Sequence, residues 1–177
     1  MPTPHVLLLR GINVGGNHKL PMRDLIDLVE AAGATRVRTY IQSGNVVCDV
    51  AAENLLDLQN TVAASIRSKF GFPSPVVARS KAEWADMIAA APYTDNDAAL
   101  YVAFLADFPS SARVAALQPD RSPGDRFEVR GRDIYLSLVK GVAGTRLTNA
   151  WMDSALATVS TARNWRTVLA LAEMLAA

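Results

Sequence analysis

The chain has 177 residues, 50% of them hydrophobic and 20% charged, with one cysteine, two histidines and a formal net charge of +1. That balance predicts a globular chain with a sizeable core, either one compact domain or two small halves sharing one. It excludes an intrachain disulfide, argues against a large nucleic-acid footprint, leaves little material for a metal site, and contains no run of the ~20 apolar residues that a membrane span needs.

The first apolar run, Val6 to Leu9, is too short for the core of a signal peptide, so a cytoplasmic protein is expected. Residues 5–10, HVLLLR, read as a buried strand with His5 as a structural residue at its start. Residues 21–32 read as a helix, because Met22, Leu25, Ile26 and Val29 fall at i, i+3, i+4 and i+7 and Gly33 follows as a stop. Residues 36–42 alternate, with Val37, Thr39 and Ile41 on one face. Ser43, Gly44 and Asn45 then make a tight turn into a strand over 46–50. A helix over 53–70 buries Leu55, Leu58, Val62 and Ile66 and ends at Gly71 and Pro73. A strand over 75–79 completes the order βαββαβ, the ferredoxin-like unit. In that unit the first and third strands are central, and HVLLLR and NVVCDV are the most continuously apolar candidates. Cys48, among valines in mid-strand, is expected to be an inert core thiol.

The second half runs through a connecting helix over 81–90, a loop at Pro92, a buried strand over 100–106 and a short helix over 109–117. A hairpin of 127–130 with 134–139 follows, across Gly131-Arg132 as a type II′ turn. Helices over 150–158 and from 164 onward close the chain, the last with Trp165, Val168, Leu169 and Ala172 on its apolar face. The expected fold is therefore α/β (α+β): two ferredoxin-like halves, βαββαβ over 1–80 and βαββα plus a C-terminal helix over 81–177, packed as one compact unit with no repeat at residue level. Residues 118–126, QPDRSPGDR, are the most loop-like and expected to be the most mobile.

Two Gly-rich loops hold the residues with chemical potential. RGINVGGNHK matches neither the GxxxxGK[ST] nor the GxGxxG spacing, yet it follows a strand and precedes a helix. Gly15 and Gly16, with Asn13 and Asn17, either turn the chain or aim several backbone N–H groups inward as an anion nest, and Arg10 and Lys19 bracket them with positive charge. Pro21 as first helical residue leaves Leu20 as a poor N-cap, so a ligand or another loop is expected to satisfy that helix start. The second loop, KGVAGTRLTN, offers Lys140, Arg146, Thr148 and Asn149, of which the last two would also cap the next helix. Arg163 and Asn164, in TARNWR, open the last helix, where an arginine opposes the helix dipole. Arg163 either meets an anion or bonds the end of the preceding helix. Ser43 and Asn45 are turn residues that would face the first loop. No nucleophile or general base can be named, and the central strands lack the aromatics of an RNA-recognition sheet.

With LLRGINVGGNHKLPM, VRTYIQSGNVV, GRDIYL, KGVAGTRLTN and TARNWRTVLAL in view, the chain resembles the domain of unknown function 1697 family, whose members are mostly bacterial. The resembling segments run from residue 7 to residue 171, and Ala162 stands where threonine is more usual. The resemblance implies an α/β fold of paired ferredoxin-like units and no activity. The residues themselves point to a small phosphate- or carboxylate-bearing ligand in a cleft built from both Gly-rich loops and the start of the last helix. A nucleic-acid or protein interaction module on the same surface, and an enzyme acting on a phosphorylated small molecule, are the other two readings.

Overall fold

The computed structural model describes Met1–Ala177 and divides into two compact units, Met1–Asp86 with Ala170–Ala177, and Met87–Leu169. In the first unit β1 (Thr3–Leu9), α1 (Met22–Ala31), β2 (Thr35–Tyr40), β3 (Asn45–Val50), α2 (Leu55–Phe70) and β4 (Val76–Ser80) follow in that order. The strands form one antiparallel sheet in the order β2-β3-β1-β4. As the sequence predicts, the two most apolar strands lie side by side inside the sheet, in register from Thr3 opposite Val50 to Leu8 opposite Asn45. Leu7, Leu9, Val46 and Cys48 share a core with Leu25 and Val29 of α1 and with Leu58, Val62 and Ile66 of α2. That is the stripe the 3.6-residue period selects, and each such side chain contributes about 1.5–3 kcal/mol on burial. The alternate residues Val6, Leu8 and Val47 are fully buried as well, which is why these strands read as unbroken apolar runs. Gly71, at φ 78°, ends α2 by donating its N–H to the Arg67 carbonyl at 3.1 Å.

The second unit repeats this plan. α3 (Lys81–Ala89), which belongs to the first unit up to Asp86, leads to β5 (Leu100–Leu105), α4 (Ser111–Ala115), β6 (Arg126–Arg130), β7 (Asp133–Ser137), α5 (Asn149–Leu156) and β8 (Ser160–Asn164), and α6 (Trp165–Ala176), which belongs to the first unit from Ala170, ends the chain. The sheet order is β6-β7-β5-β8. Ala103, Leu105, Ile134, Leu136, Met152 and Leu156 form its core. The β6–β7 turn has Gly131 at φ 60°, as a type II′ turn with glycine first requires. Within residues 118–126 Ser122 and Asp125 are buried, and the Ser122 hydroxyl donates to the Asp125 carboxylate at 2.7 Å.

One element differs from the sequence reading. STARN is a strand, β8, and the last helix begins after it. The segment carries no alternating apolar signal, because its helix-facing residue is only Ala162 and its neighbours Thr161 and Arg163 are polar. Pairing with β5, from Tyr101 opposite Asn164 to Leu105 opposite Ser160, decides its conformation. With β8 in place a short residue-level repeat emerges. Arg79 of β4 lies opposite Val6, and Arg163 of β8 lies opposite Val102. Each arginine follows an alanine and donates to that alanine's carbonyl, at 2.9 Å to Ala78 and 2.8 Å to Ala162. Each precedes a helix cap. The Ser80 hydroxyl accepts from the Glu83 N–H at 3.2 Å while the Glu83 carboxylate accepts from the Ser80 N–H at 2.7 Å, and the Asn164 side chain accepts from the Thr167 N–H at 2.9 Å.

Gly44, between β2 and β3, allows a test of packing against conformation. It sits at φ 81°, and a Cβ there would lie 2.8 Å from the Leu9 Cβ, whereas Gly15, at φ 57°, has open space around it. Gly44→Ala is expected to cost about 2–4 kcal/mol and Gly15→Ala about 1–2 kcal/mol in urea denaturation, the difference being the clash. Equal losses would mean that conformation alone matters at both sites.

Candidate functional site

In the first unit the β1–α1 connection folds back on itself. Asn17 donates its N–H to the Val14 carbonyl at 2.9 Å, and Asn13 donates its N–H to the His18 carbonyl at 2.9 Å. Gly15 and Gly16, both at positive φ (57° and 77°), occupy the centre of this miniature hairpin as a type I′ turn demands. Of the two readings of the loop, the turn accounts for its glycines.

Asn13 closes the loop. Its amide nitrogen donates to the Leu20 carbonyl at 2.9 Å and the Gln42 carbonyl at 2.7 Å, and its side-chain oxygen accepts from the Leu20 N–H at 2.8 Å. Asn13 stands at φ 52°, a conformation asparagine tolerates better than most residues. Its side chain is thus committed to main chain and shapes the site without offering donors to it. His18 fastens the outer arm, donating Nδ1–H to the Gly11 carbonyl at 2.8 Å and stacking on Phe72 at 4.5 Å between ring centroids.

A pocket of about 510 Å³ lies where the loop meets α1, lined by Asn13, Gly16, Lys19, Leu20, Pro21, Met22 and Gln42. Leu20 is buried and Pro21, at φ −60° and ψ 141°, is itself the N-cap residue, so no side chain caps α1. Leucine before proline signalled the missing cap, one residue early. Lys19 is the one charged residue in the lining, and no carboxylate lines the pocket. Gln42 was not singled out by the sequence; the β2–β3 turn brings it here, and no local signal marks it. Ile41 beside it has φ 48°, a strained setting for a β-branched residue.

The other first-unit residues serve the frame. The Arg10 carbonyl accepts from the Ser74 hydroxyl at 2.9 Å and its N–H donates to the Pro75 carbonyl at 3.0 Å. Asn45 is fully buried and donates to the Tyr40 carbonyl at 3.1 Å and the Ser43 hydroxyl at 2.9 Å. Neither Arg10, Asn17, Ser43 nor Asn45 lines the pocket.

In the second unit the KGVAGTRLTN loop covers a smaller cavity, about 210 Å³, to which Thr145, Thr148 and Asn149 contribute. Thr148 caps α5 by accepting from the Trp151 N–H at 3.2 Å, and the Ser160 hydroxyl, 3.3 Å from Asn149 Oδ1, donates to Asp153 Oδ1 at 2.7 Å. Arg146 is held by its main chain, its N–H donating to the Ser122 hydroxyl at 3.1 Å and its carbonyl accepting from Arg121 Nε at 3.1 Å. Lys140 is exposed. Arg163 stands on β8, not in the first turn of α6, and donates to Thr161 Oγ1 at 2.9 Å as well as to the Ala162 carbonyl. Burial lowers its pKa to about 10, so it is still charged at neutral pH. Asn164 is the cap described above.

The sheet order, the helix layer and these sites define an α+β protein of two ferredoxin-like halves. The chain belongs to the family described as protein of unknown function (DUF1697), which matches residues 2–135. A conserved bacterial protein from Streptococcus pneumoniae has a similar structure, with a TM-score of 0.72 and 21% identity over 99% of each chain. No functionally curated protein matches the sequence. No helix is long and apolar enough to cross a membrane.

Asn13→Ala is expected to destabilise the protein by about 1–3 kcal/mol, the scale of two or three net hydrogen bonds, with faster amide exchange at Leu20. Retention of slow exchange there would show that the loop closes without the asparagine. Cys48 is fully buried, and burial, with the Asp49 carboxylate adding to it, pushes the thiol up to about 12. It should resist thiol reagents in the native state and react once denatured. Because its folded pKa is raised, its contribution to stability is present below the ordinary 9.0 and declines as pH climbs from there toward about 12. Rapid native labelling would show the strand to be open.

Proposed function

We propose that the protein binds a small phosphate- or carboxylate-bearing molecule in the pocket at the start of α1. The observation that carries this reading is the pairing of an uncapped ten-residue helix N-terminus with Lys19, in a lining without a carboxylate. The first N–H groups of a helix present partial positive charge, and an ammonium beside them adds a full one. A volume of about 510 Å³ falls within the range of small-molecule sites. The Gln42 side chain and the apolar flank of Leu20, Pro21 and Met22 would orient the uncharged part of the ligand. Asn13 and the Gly15-Gly16 turn hold the wall in place.

The test is a set of melts with millimolar inorganic phosphate, sulfate and citrate, followed by titration. At least one anion is expected to raise the melting temperature of the unmutated chain. Lys19→Ala should fold equally well, since Lys19 is exposed, and should bind that anion roughly 10- to 150-fold more weakly, the loss of one charge-assisted hydrogen bond. Absence of a shift with all three anions, or an unchanged affinity in Lys19→Ala, would overturn the assignment.

A further inference from the structure

The cavity under the second Gly-rich loop has a different chemistry. In the first unit α2 spans Leu55–Phe70 and buries Leu58, Val62 and Ile66 against its sheet. The corresponding helix of the second unit, α5, spans only Asn149–Leu156 and buries Met152 and Leu156. The helix is shortened at its N-terminal end, where residues 138–148 run as a loop containing a single 3-10 turn, Val142–Gly144. That loop spans the sheet face without filling the space beneath it. The loop is held in a fixed shape: Asp125 accepts from the Val139 N–H at 3.0 Å, Ser122 accepts from the Arg146 N–H at 3.1 Å, and Thr145 accepts from the Leu147 N–H at 3.0 Å.

We infer that this cavity is a binding site for a small uncharged molecule with an apolar ring or branched body and one hydrogen-bond acceptor. Leu136, Leu138, Leu147 and Ala162 supply apolar walls, and no charged residue lines the space. A cavity of about 150 Å³ lined by leucine, isoleucine and phenylalanine admits benzene, so about 210 Å³ takes, in proportion, a molecule of about eight or nine non-hydrogen atoms. Two lining residues carry polar groups without a protein partner, the Tyr101 hydroxyl and the Asn149 amide nitrogen. The amide nitrogen only donates and the hydroxyl can donate, so an acceptor on the ligand satisfies both. An ionised ligand would lose its hydration with no counter-charge in the walls.

The test compares acetophenone, cumene and benzoate, three probes of similar size, by NMR titration of the full chain. Acetophenone should shift the methyl signals of Leu136, Leu147 and Ala162 saturably, with cumene about tenfold weaker and benzoate weaker still. Tyr101→Phe keeps the wall and removes a donor, so it should narrow the gap between acetophenone and cumene. Ala162→Leu should fill the cavity and abolish binding of both. Three results would each overturn the assignment: no saturable shift with any probe, benzoate binding as well as acetophenone, or a gap unchanged in Tyr101→Phe.

Discussion

The approach of Leu9 to Gly44 governs the layout of the first unit's site. The Leu9 N–H donates to the Gly44 carbonyl at 2.8 Å, and the two chains lie too close to admit a side chain on residue 44. The end of β1 is thereby fixed against the β2–β3 turn. The chain leaving β1 must pass Gln42, and Asn13 finds the Gln42 carbonyl within reach. With Asn13 bonded there and to Leu20, α1 can start only beside that turn, and the pocket is the space left between them. A glycine in one strand connection thus determines the wall of a site built from another.

The two halves show what is frame and what is variation. Strand order, register on the central strand and the capped helix after the last strand are common to both. The connections differ. The first unit has its long loop between β1 and α1 and a short link between β3 and α2; the second has a short link between β5 and α4 and its long loop between β7 and α5. Because β1 and β3 are antiparallel, as are β5 and β7, these connections leave opposite ends of their sheets. Each long loop is Gly-rich and each roofs a pocket, one with a cation and a bare helix end, the other with leucines and a capped helix. A connection can lengthen without disturbing the sheet, so these are the places where the two units diverge.

Much of the frame was legible because it follows from burial. HVLLLR and NVVCDV could be placed at the sheet centre since strands covered on both faces carry unbroken apolar runs, and the stripes of α1 and α2 follow from helical period. β8 was not legible, since Ser160, Thr161 and Ala162 are too small or polar to signal a strand and only the β5 partner makes them one. Of the pocket, Lys19 and the missing cap could be read from the local order of residues. Gln42 could not, because its place depends on a contact 29 residues away along the chain. Asn13 was legible as a residue of the site but not in its role: an asparagine offers the same groups to a ligand and to main chain, and only the fold decides which of them it meets.

The same reasoning explains why the repeat between the halves is clearest at the end of the last strand. A core position asks for an apolar side chain of suitable volume, and many sequences satisfy that, so Leu7 stands in one sheet where Ala103 stands in the other. The end of the last strand asks for more. An alanine must fit beneath the helix layer, opposite Leu7 in one sheet and Ala103 in the other. An arginine must reach back to the carbonyl just before it, and the next residue must accept from the first turn of a helix. Serine and asparagine both meet that last demand and few other residues do. Ala78-Arg79-Ser80 and Ala162-Arg163-Asn164 therefore correspond where Leu7 and Ala103 do not, and recognising them depends on knowing that both are strands.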